Sequence, residues 1–319
     1  MQAYLVKPAT AHDALVRIGL VTDVHRAADG VSGGWHNPHD FLGVSSRLER
    51  ALAWFRERDV EVCLIGGDLA HAGDVASMAG VLDACSALGT PVLVVAGNHD
   101  VFPYARALAR ATDQVRGADV TLASPSGLVL GGLRVAGVHV GVSDGWFGSQ
   151  LASAPDVEAW GAAPTVLLSH FPLLSRAQLL AEHGFPYPGD LLDRRAVADR
   201  LLGRAAATVV LSGHIHARDS CSEQSVLQLS QGALIEAPYE CAVIDVAFDA
   251  TGALQVRRES RPLAGPAVAR EPIFAAATEA WTFDGSAWSA MAPGELELLA
   301  APPAGPPRTR AGGAQEVTA

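Results

Sequence analysis

The chain has 319 residues, 49% of them hydrophobic, which fits one large domain or two small ones with a sizeable core and excludes a largely disordered chain. Its 34 acidic and 23 basic residues leave a net charge of −11, which argues against tight, phosphate-driven binding of long nucleic acid. A small phosphorylated ligand stays compatible with this charge, because bound metal ions reverse the sign of the local field.

The first half alternates strand and helix. Residues 16–22 are apolar and extended, and a polar, glycine-rich loop follows over 26–43. Residues 45–58 read as an amphipathic helix with Leu48, Leu52 and Phe55 on one face. A second apolar strand over 60–65 runs into Gly66-Gly67-Asp68. A second helix over 74–88 is stopped by Gly89-Thr90-Pro91, and 91–96 forms a third strand. Such repeats imply right-handed crossovers and largely parallel neighbouring strands.

The second half is richer in strands. Residues 128–130 and 133–140 form a hairpin split by Gly131-Gly132. A strand over 165–169 ends in His170, a helix covers 193–204, and a strand over 208–212 ends in Gly213. Residues 226–229 and 241–248 read as closing antiparallel strands. Beyond about Pro262 the character changes. Residues 279–291 carry Trp281 and Trp288 around an Asp284-Gly285 turn, a hairpin signal. This hairpin is expected to serve as an interface or as a cap over the pocket. From residue 300, Pro, Gly, Ala and Arg dominate, and disorder is expected. The expected organisation is a catalytic domain over 1–262, a hairpin extension over 263–299 and a disordered tail over 300–319.

Five short motifs fall at the ends of apolar strands: Asp23-Val24-His25, Gly66-Gly67-Asp68, Gly97-Asn98-His99-Asp100, His170, and Gly213-His214-Ile215-His216. Taken singly, Asp23-x-His25 is a common surface turn, Asp68 a common helix cap, and His170 a common core histidine. Five such motifs at strand ends, in this order, go beyond what packing alone requires. In open α/β sheets the carboxyl ends of strands are where ligands gather. Carboxylate, amide oxygen and imidazole together suit Mn, Fe, Zn, Co or Ni ions. Strand alternation would put Asp23 and His25 on one side, and likewise His214 and His216. The set therefore reads as the ligands of a metal pair sharing a carboxylate.

The five motifs resemble those of the calcineurin-like metallophosphoesterase superfamily, over roughly residues 16–248. The resemblance implies an α/β fold, a four-layer α/β/β/α sandwich of two mixed β-sheets. It implies that Asp23, His25 and His216 hold one metal, that Asn98, His170 and His214 hold the other, and that Asp68 bridges them. His99 would donate a proton to the leaving oxygen, with Asp100 orienting it. Two divalent or trivalent ions about 3.5–4 Å apart would activate a bridging hydroxide for in-line attack on phosphorus.

The substrate is expected to be a small phosphorylated metabolite, a phosphodiester or nucleotide-type ester. Alternatives are a phosphomonoesterase in a biosynthetic pathway and a catalytically silent binding scaffold on the same fold. Trp35, His36 and His39, in the loop after the first motif, and His71 after the second are the expected substrate contacts; Arg26 reads as a solvated arginine. His139 reads as a structural strand histidine. Cys63, Cys85, Cys221 and Cys241 form no C-x-x-C pair and are expected as free thiols of a cytoplasmic protein. The first residues carry no secretory signal pattern, and no apolar run approaches the roughly 20 residues that span a bilayer. No membrane partner is expected; a homo-oligomer is compatible with the sequence.

Overall fold

Side chains of residues 16–21 alternate between two buried faces. Ile18 and Leu20 enter an apolar layer between two sheets, whereas Val21 faces helices. Gly19 leaves room on that side: a Cβ there would stand 2.8 Å from the Phe55 ring. The computed structural model describes residues 16–28, 39–101, 106–115, 119–141, 149–185, 190–249, 251–266 and 272–292.

In chain order the elements begin with β1 (Val16–Val21), α1 (Val44–Glu57), β2 (Val62–Ile65), α2 (Val75–Ser86), β3 (Val92–Val94), α3 (Asn98–Val101), α4 (Ala107–Gln114) and β4 (Val120–Leu122). They continue with β5 (Leu128–Leu130), β6 (Leu133–Val138), β7 (Val140–Gly141), β8 (Gln150–Leu151), α5 (Val157–Trp160), β9 (Thr165–Ser169), α6 (Ala177–Glu182), α7 (Arg194–Leu202) and β10 (Thr208–Ser212). The last elements are β11 (Asp219–Glu223), β12 (Val226–Ser230), β13 (Glu240–Phe248), β14 (Leu254–Pro262), β15 (Thr278–Phe283) and β16 (Trp288–Ala290).

One large sheet has eight strands in the order β16-β15-β14-β13-β1-β2-β3-β4, a second has six in the order β11-β12-β10-β9-β6-β5, and β7 and β8 form a small two-stranded sheet of their own. The β1, β2, β3 and β4 neighbours are parallel, as are β6, β9 and β10. Inward residues such as Leu64, Val95, Leu168, Leu211 and Ile244 form the layer between the sheets. Outer faces pack on helices, with Phe55 of α1 and Met78 of α2 on one side and Trp160 and Leu201 on the other. Both large sheets are mixed, so the four-layer α/β/β/α expectation holds. No helix among the described residues is long and apolar enough to cross a membrane.

Local chemistry explains most boundaries. Asp74 caps α2 by accepting the Ser77 N–H at 2.8 Å. The Asp284-Gly285 turn is held by Asp284 Oδ1, which accepts Ser286 N–H and Ala287 N–H at 2.8 and 2.9 Å. All four cysteines are free. Two expectations need correction, and one strand was not anticipated. Strand β12 pairs in parallel with β10 and antiparallel only with β11, because the chain leaves β10, runs back along the outer edge as β11 and reverses at residues 224–225 into the place beside β10. The hairpin β15–β16 extends the eight-stranded sheet, with Trp281 and Trp288 buried between the sheets, so it is not a cap over a pocket. Strand β14 escapes periodicity because its inward side includes Arg258 and Ser260. Arg258 is satisfied there by Asp219 O at 2.9 Å, Ser230 O at 3.1 Å and the Glu279 carboxylate. The expected tail over 300–319 lies outside the described residues.

Candidate metal centre

Parallel pairing sends β1, β2 and β3 in one direction, and β9 and β10 in one direction, so their motifs emerge together. The ladder continues past the strands: Asp23 N–H donates to Gly67 O at 3.1 Å, His25 N–H to Asp68 O at 2.8 Å, and Gly213 N–H to His170 O at 2.9 Å. The two sheets meet where His214 N–H donates to Asp23 Oδ2 at 3.1 Å. Strands β1 and β10 stop at Val21 and Ser212, before their ligand motifs. Alternation therefore does not aim Asp23 with His25, or His214 with His216. Left-handed backbone does: φ is +50° at Asp23, +46° at His25, +53° at Asp68, +65° at His214 and +50° at His216. Non-glycine residues pay for this conformation, though Asp and His tolerate it better than most, and such strain concentrates at functional sites.

The donor atoms converge. Asp68 Oδ2 lies 3.4 Å from His25 Nε2 and 3.3 Å from His170 Nε2. Asp23 Oδ1 lies 3.2 Å from His216 Nε2 and 3.9 Å from His25 Nε2. Asn98 Oδ1 is 3.1 Å from His170 Nε2. One three-residue group with donor atoms within 4.8 Å of one another is Asp23, His25 and His216; another is Asp23, Asp68 and His170. The His214 ring packs tilted on Phe171, 3.6 Å between centroids, and lies 5.1 Å from the His170 ring. Asp23, His25, Asp68 and His170 are each no more than 2% exposed.

Burial and charge act against each other here. Burial pushes the Asp68 carboxyl up, but the charges of His170, His99 and His25 outweigh it and hold the group well below its usual 3.8. Asp23 is likewise lowered, burial being outweighed by His216. His170 rises to about 9, because Asp68 overcomes the desolvation that lowers it. His216 rises well above 6.5 against the same desolvation, through Asp23 and Glu236. His25 falls well below 6.5 by burial, and His214 falls to about 3 by burial and then by the charge of His170. A buried carboxylate pair thus gathers positive charge from its own histidines, the electrostatic demand that a cation would meet.

His99 stands at the edge of this cluster, its ring 4.6 Å from that of His25. Its N–H donates to Asp68 Oδ1 at 2.9 Å, and its Nδ1 is 2.7 Å from His71 O. The expected role of Asp100 is corrected. Its Oδ1 accepts Leu69 N–H and Ala70 N–H at 2.8 and 3.2 Å, and its Oδ2 accepts Gly97 N–H at 2.9 Å. Asp100 therefore ties the second and third motif loops together, while the carbonyl of His71 orients the His99 ring. His71 stacks on His99 at 5.4 Å, and His39 lies 5.3 Å from His25, so both expected substrate contacts border the cluster. Burial, then the charge of His216, lowers His39 to about 4. Trp35 and His36 lie outside the described residues. Arg26 is not simply solvated: its guanidinium lies against Gly80 of α2, 2.2 Å from where a Cβ would stand. His139 has the structural role expected, accepting Ala96 N–H at 3.0 Å and pairing with Ala123 O at 2.8 Å.

Three residues at the site escaped the sequence reading. Thr22 Oγ1 donates to Asp23 Oδ2 at 2.7 Å. Glu236 Oε1 is 2.8 Å from His216 Nδ1. Arg47, 1% exposed, donates to Leu234 O at 2.6 Å and to Asp40 Oδ2 at 2.7 Å. A lone charge inside the apolar run 233–237 was the available signal for Glu236.

A family model described as calcineurin-like phosphoesterase matches residues 16–218. No curated protein matches the sequence. Among solved structures, a dimetal phosphatase from Danio rerio is similar with a TM-score of 0.50 and 13% identity, over 78% of this chain and 97% of that one. A purple acid phosphatase from yellow lupin (Lupinus luteus) seeds is similar with a TM-score of 0.51 and 12% identity, over 79% of this chain and 52% of that one. At these identities the likeness speaks for the shared layered fold.

Proposed function

We propose, because the chain belongs to the calcineurin-like phosphoesterase family, that its strand-end cluster hydrolyses a small phosphodiester or nucleotide-type ester. The protein is a metal-dependent phosphoester hydrolase that works with two divalent ions. In our assignment Asp23, His25 and His216 hold one ion, Asn98, His170 and His214 hold the other, and Asp68 touches both. The residues fit such a pair: two buried carboxylates face imidazole nitrogens at 3.2–3.4 Å, and neither ring nitrogen of His25 has a hydrogen-bond partner among the described residues. When bound, two ions of this kind activate water and neutralise charge on the phosphate oxygens.

The chain's own residues would do the rest. His99 Nδ1 donates a hydrogen bond to the His71 carbonyl, so the proton it would exchange with the leaving oxygen is the one on Nε2, an effect typically worth about 10²–10⁴-fold. Asp68 Oδ1 fixes the His99 backbone, which keeps acid and ligand in register. His39 and His71 border the entrance as uncharged imidazoles, both lowered by burial. With Arg26 turned onto α2, the described part of this border suits the single charge of a diester phosphate better than the double charge of a monoester.

The convergence of Asp23, His25, Asp68, His170 and His216 carries the reading. Elemental analysis of the Mn²⁺-loaded protein, with turnover of bis(p-nitrophenyl) phosphate against p-nitrophenyl phosphate, tests it. Two ions per chain and faster diester turnover are expected, and Asp68→Ala should lose both metal and activity. Preference for the monoester would replace the substrate class. Metal without turnover of either ester would favour a binding scaffold, and no metal would sink the reading.

A further inference from the structure

We infer that Glu236 is a positioning residue for the ion assigned to Asp23, His25 and His216, acting through His216; this rests on the dinuclear reading above. Glu236 lies in the stretch between β12 and β13 and is 9% exposed. Its Oε1 is 2.8 Å from His216 Nδ1. An imidazole that donates its Nδ1 proton to a carboxylate presents the Nε2 lone pair in a fixed direction and becomes a more basic ligand. The nitrogen so presented is the one that stands 3.2 Å from Asp23 Oδ1.

The carboxylate is itself held in place. Leu234 N–H and Ile235 N–H donate to Thr22 O and Asp23 O at 3.2 and 3.1 Å, so the segment bearing Glu236 is bonded to the first ligand motif. Asp40 N–H donates to Ile235 O at 2.9 Å, and Arg47 Nε donates to Leu234 O at 2.6 Å. On the other side, Glu236 Oε2 faces His39 Nε2 at 3.6 Å. Among the described residues, the second ion has no such carboxylate behind its histidines. His170 is backed through Nδ1 by the neutral carbonyl of Gly66 at 2.8 Å. The two positions are therefore unequal: one has Asp23 and a carboxylate-backed histidine, while the other has Asn98 and a carbonyl-backed one. The Glu236-backed position is the tighter.

Competition of Zn²⁺ between the full-length protein and a chromophoric chelator, with bound metal counted by elemental analysis, tests this without reference to turnover. Wild type should take two ions in two separable steps. Glu236→Ala should weaken the tighter step by about 10–100-fold, the usual effect of losing such a partner, and leave the weaker step in place. Glu236→Gln, whose amide oxygen still accepts the Nδ1 proton, should recover part of the loss; it also serves as the test if the alanine variant fails to fold. An unchanged tight step in both variants, or equal weakening of both steps, would overturn the role of Glu236 while leaving the dinuclear reading intact. A wild type that binds fewer than two ions would overturn that reading, and this inference with it.

Discussion

Gly97→Ala tests whether the motifs are built to the tolerance that their geometry implies. A Cβ on residue 97 would stand 2.1 Å from Asp68 Oδ1, 2.8 Å from Asp68 Cγ and 2.6 Å from the Asp68 backbone nitrogen. Side-chain rotation could relieve the first two contacts but not the third. The loops must therefore separate by several tenths of an ångström at the backbone, and the carboxylate oxygen must move by about 1 Å to reach ordinary contact. That oxygen also accepts the His99 N–H, so the shared ligand and the acid shift together. Overpacking of this kind costs about 1–3 kcal/mol, and misplacing reacting groups by about 1 Å costs about 10²-fold in rate. The assays are metal content, kcat on bis(p-nitrophenyl) phosphate at saturating Mn²⁺, and the melting temperature of the metal-free protein. The variant should melt several degrees lower, hold metal more weakly and turn over about 10²-fold more slowly. Wild-type kcat with both ions bound would refute the reasoning, because it would mean that the two loops separate without disturbing Asp68.

Further outcomes follow from individual contacts. His99→Ala should keep its metal and slow poor leaving groups far more than activated ones; equal slowing of both would count against proton donation. Burial lowers His139 below its ordinary 6.5 despite its bond to Ala123 O. The unfolded chain therefore binds that proton first, and the associated stability is lost as pH falls below about 6.5. Urea melts at about pH 7.5 and about pH 5.5 should show a smaller acid loss in His139→Gln than in wild type; identical losses would exclude this contribution. Arg47→Ala removes three donor contacts to the loops at Asp40 and Leu234 and the packing of the guanidinium over Tyr239, 4.5 Å away. It should cost about 3 kcal/mol in urea denaturation, and Arg47→Lys should recover only part, having no planar fork. Chelation should lower the melting temperature of wild type, since a ligand at 100 times its Kd stabilises by about 2.7 kcal/mol. Asp68→Ala should be insensitive to the chelator; a matching drop would place the stabilising ions elsewhere.

The ligands were legible because metal chemistry admits few residue types, and Asp, Asn and His at the ends of apolar strands stand out against their surroundings. What aims them was not. Nothing in Asp23-Val24-His25 announces that both ends adopt positive φ, because Asp and His are also ordinary right-handed or extended residues. Arg47 read as one polar position on an amphipathic helix, and its carbonyl partner lies 187 residues away. Glu236 sits 20 residues beyond the histidine it supports. Arg258 interrupted the alternation of β14 because its compensation comes from the backbone of β11 and β12 and from β15. Pairings across such distances leave no local periodicity to read. The hairpin of β15 and β16 shows the converse case: the turn was plain from Asp284-Gly285, but the direction in which Trp281 and Trp288 face depends on the sheet they join.

The same contacts explain how five strained ligand positions persist. An L-residue in the left-handed region gives up about 1–2 kcal/mol, so such a conformation survives only where neighbours over-determine it. At His25 the backbone N–H is held by Asp68 O, and at His214 it is held by the Asp23 carboxylate. Asp23 in turn is bonded by Thr22 Oγ1, and a Cβ on Gly213 would collide with that hydroxyl at 1.9 Å. The first and second motifs thus brace each other within one sheet, and the first and last brace each other across the junction of the two sheets. A change to one brace must therefore reach ligands on both sheets, which makes Thr22→Val informative. It takes the hydroxyl from Asp23 and from Gly66 O, 3.4 Å away, so it should cost about 1–3 kcal/mol in the metal-free melt and also weaken metal binding in the chelator competition. Unaltered binding would mean that His214 N–H and the neighbouring histidines aim Asp23 without help from Thr22.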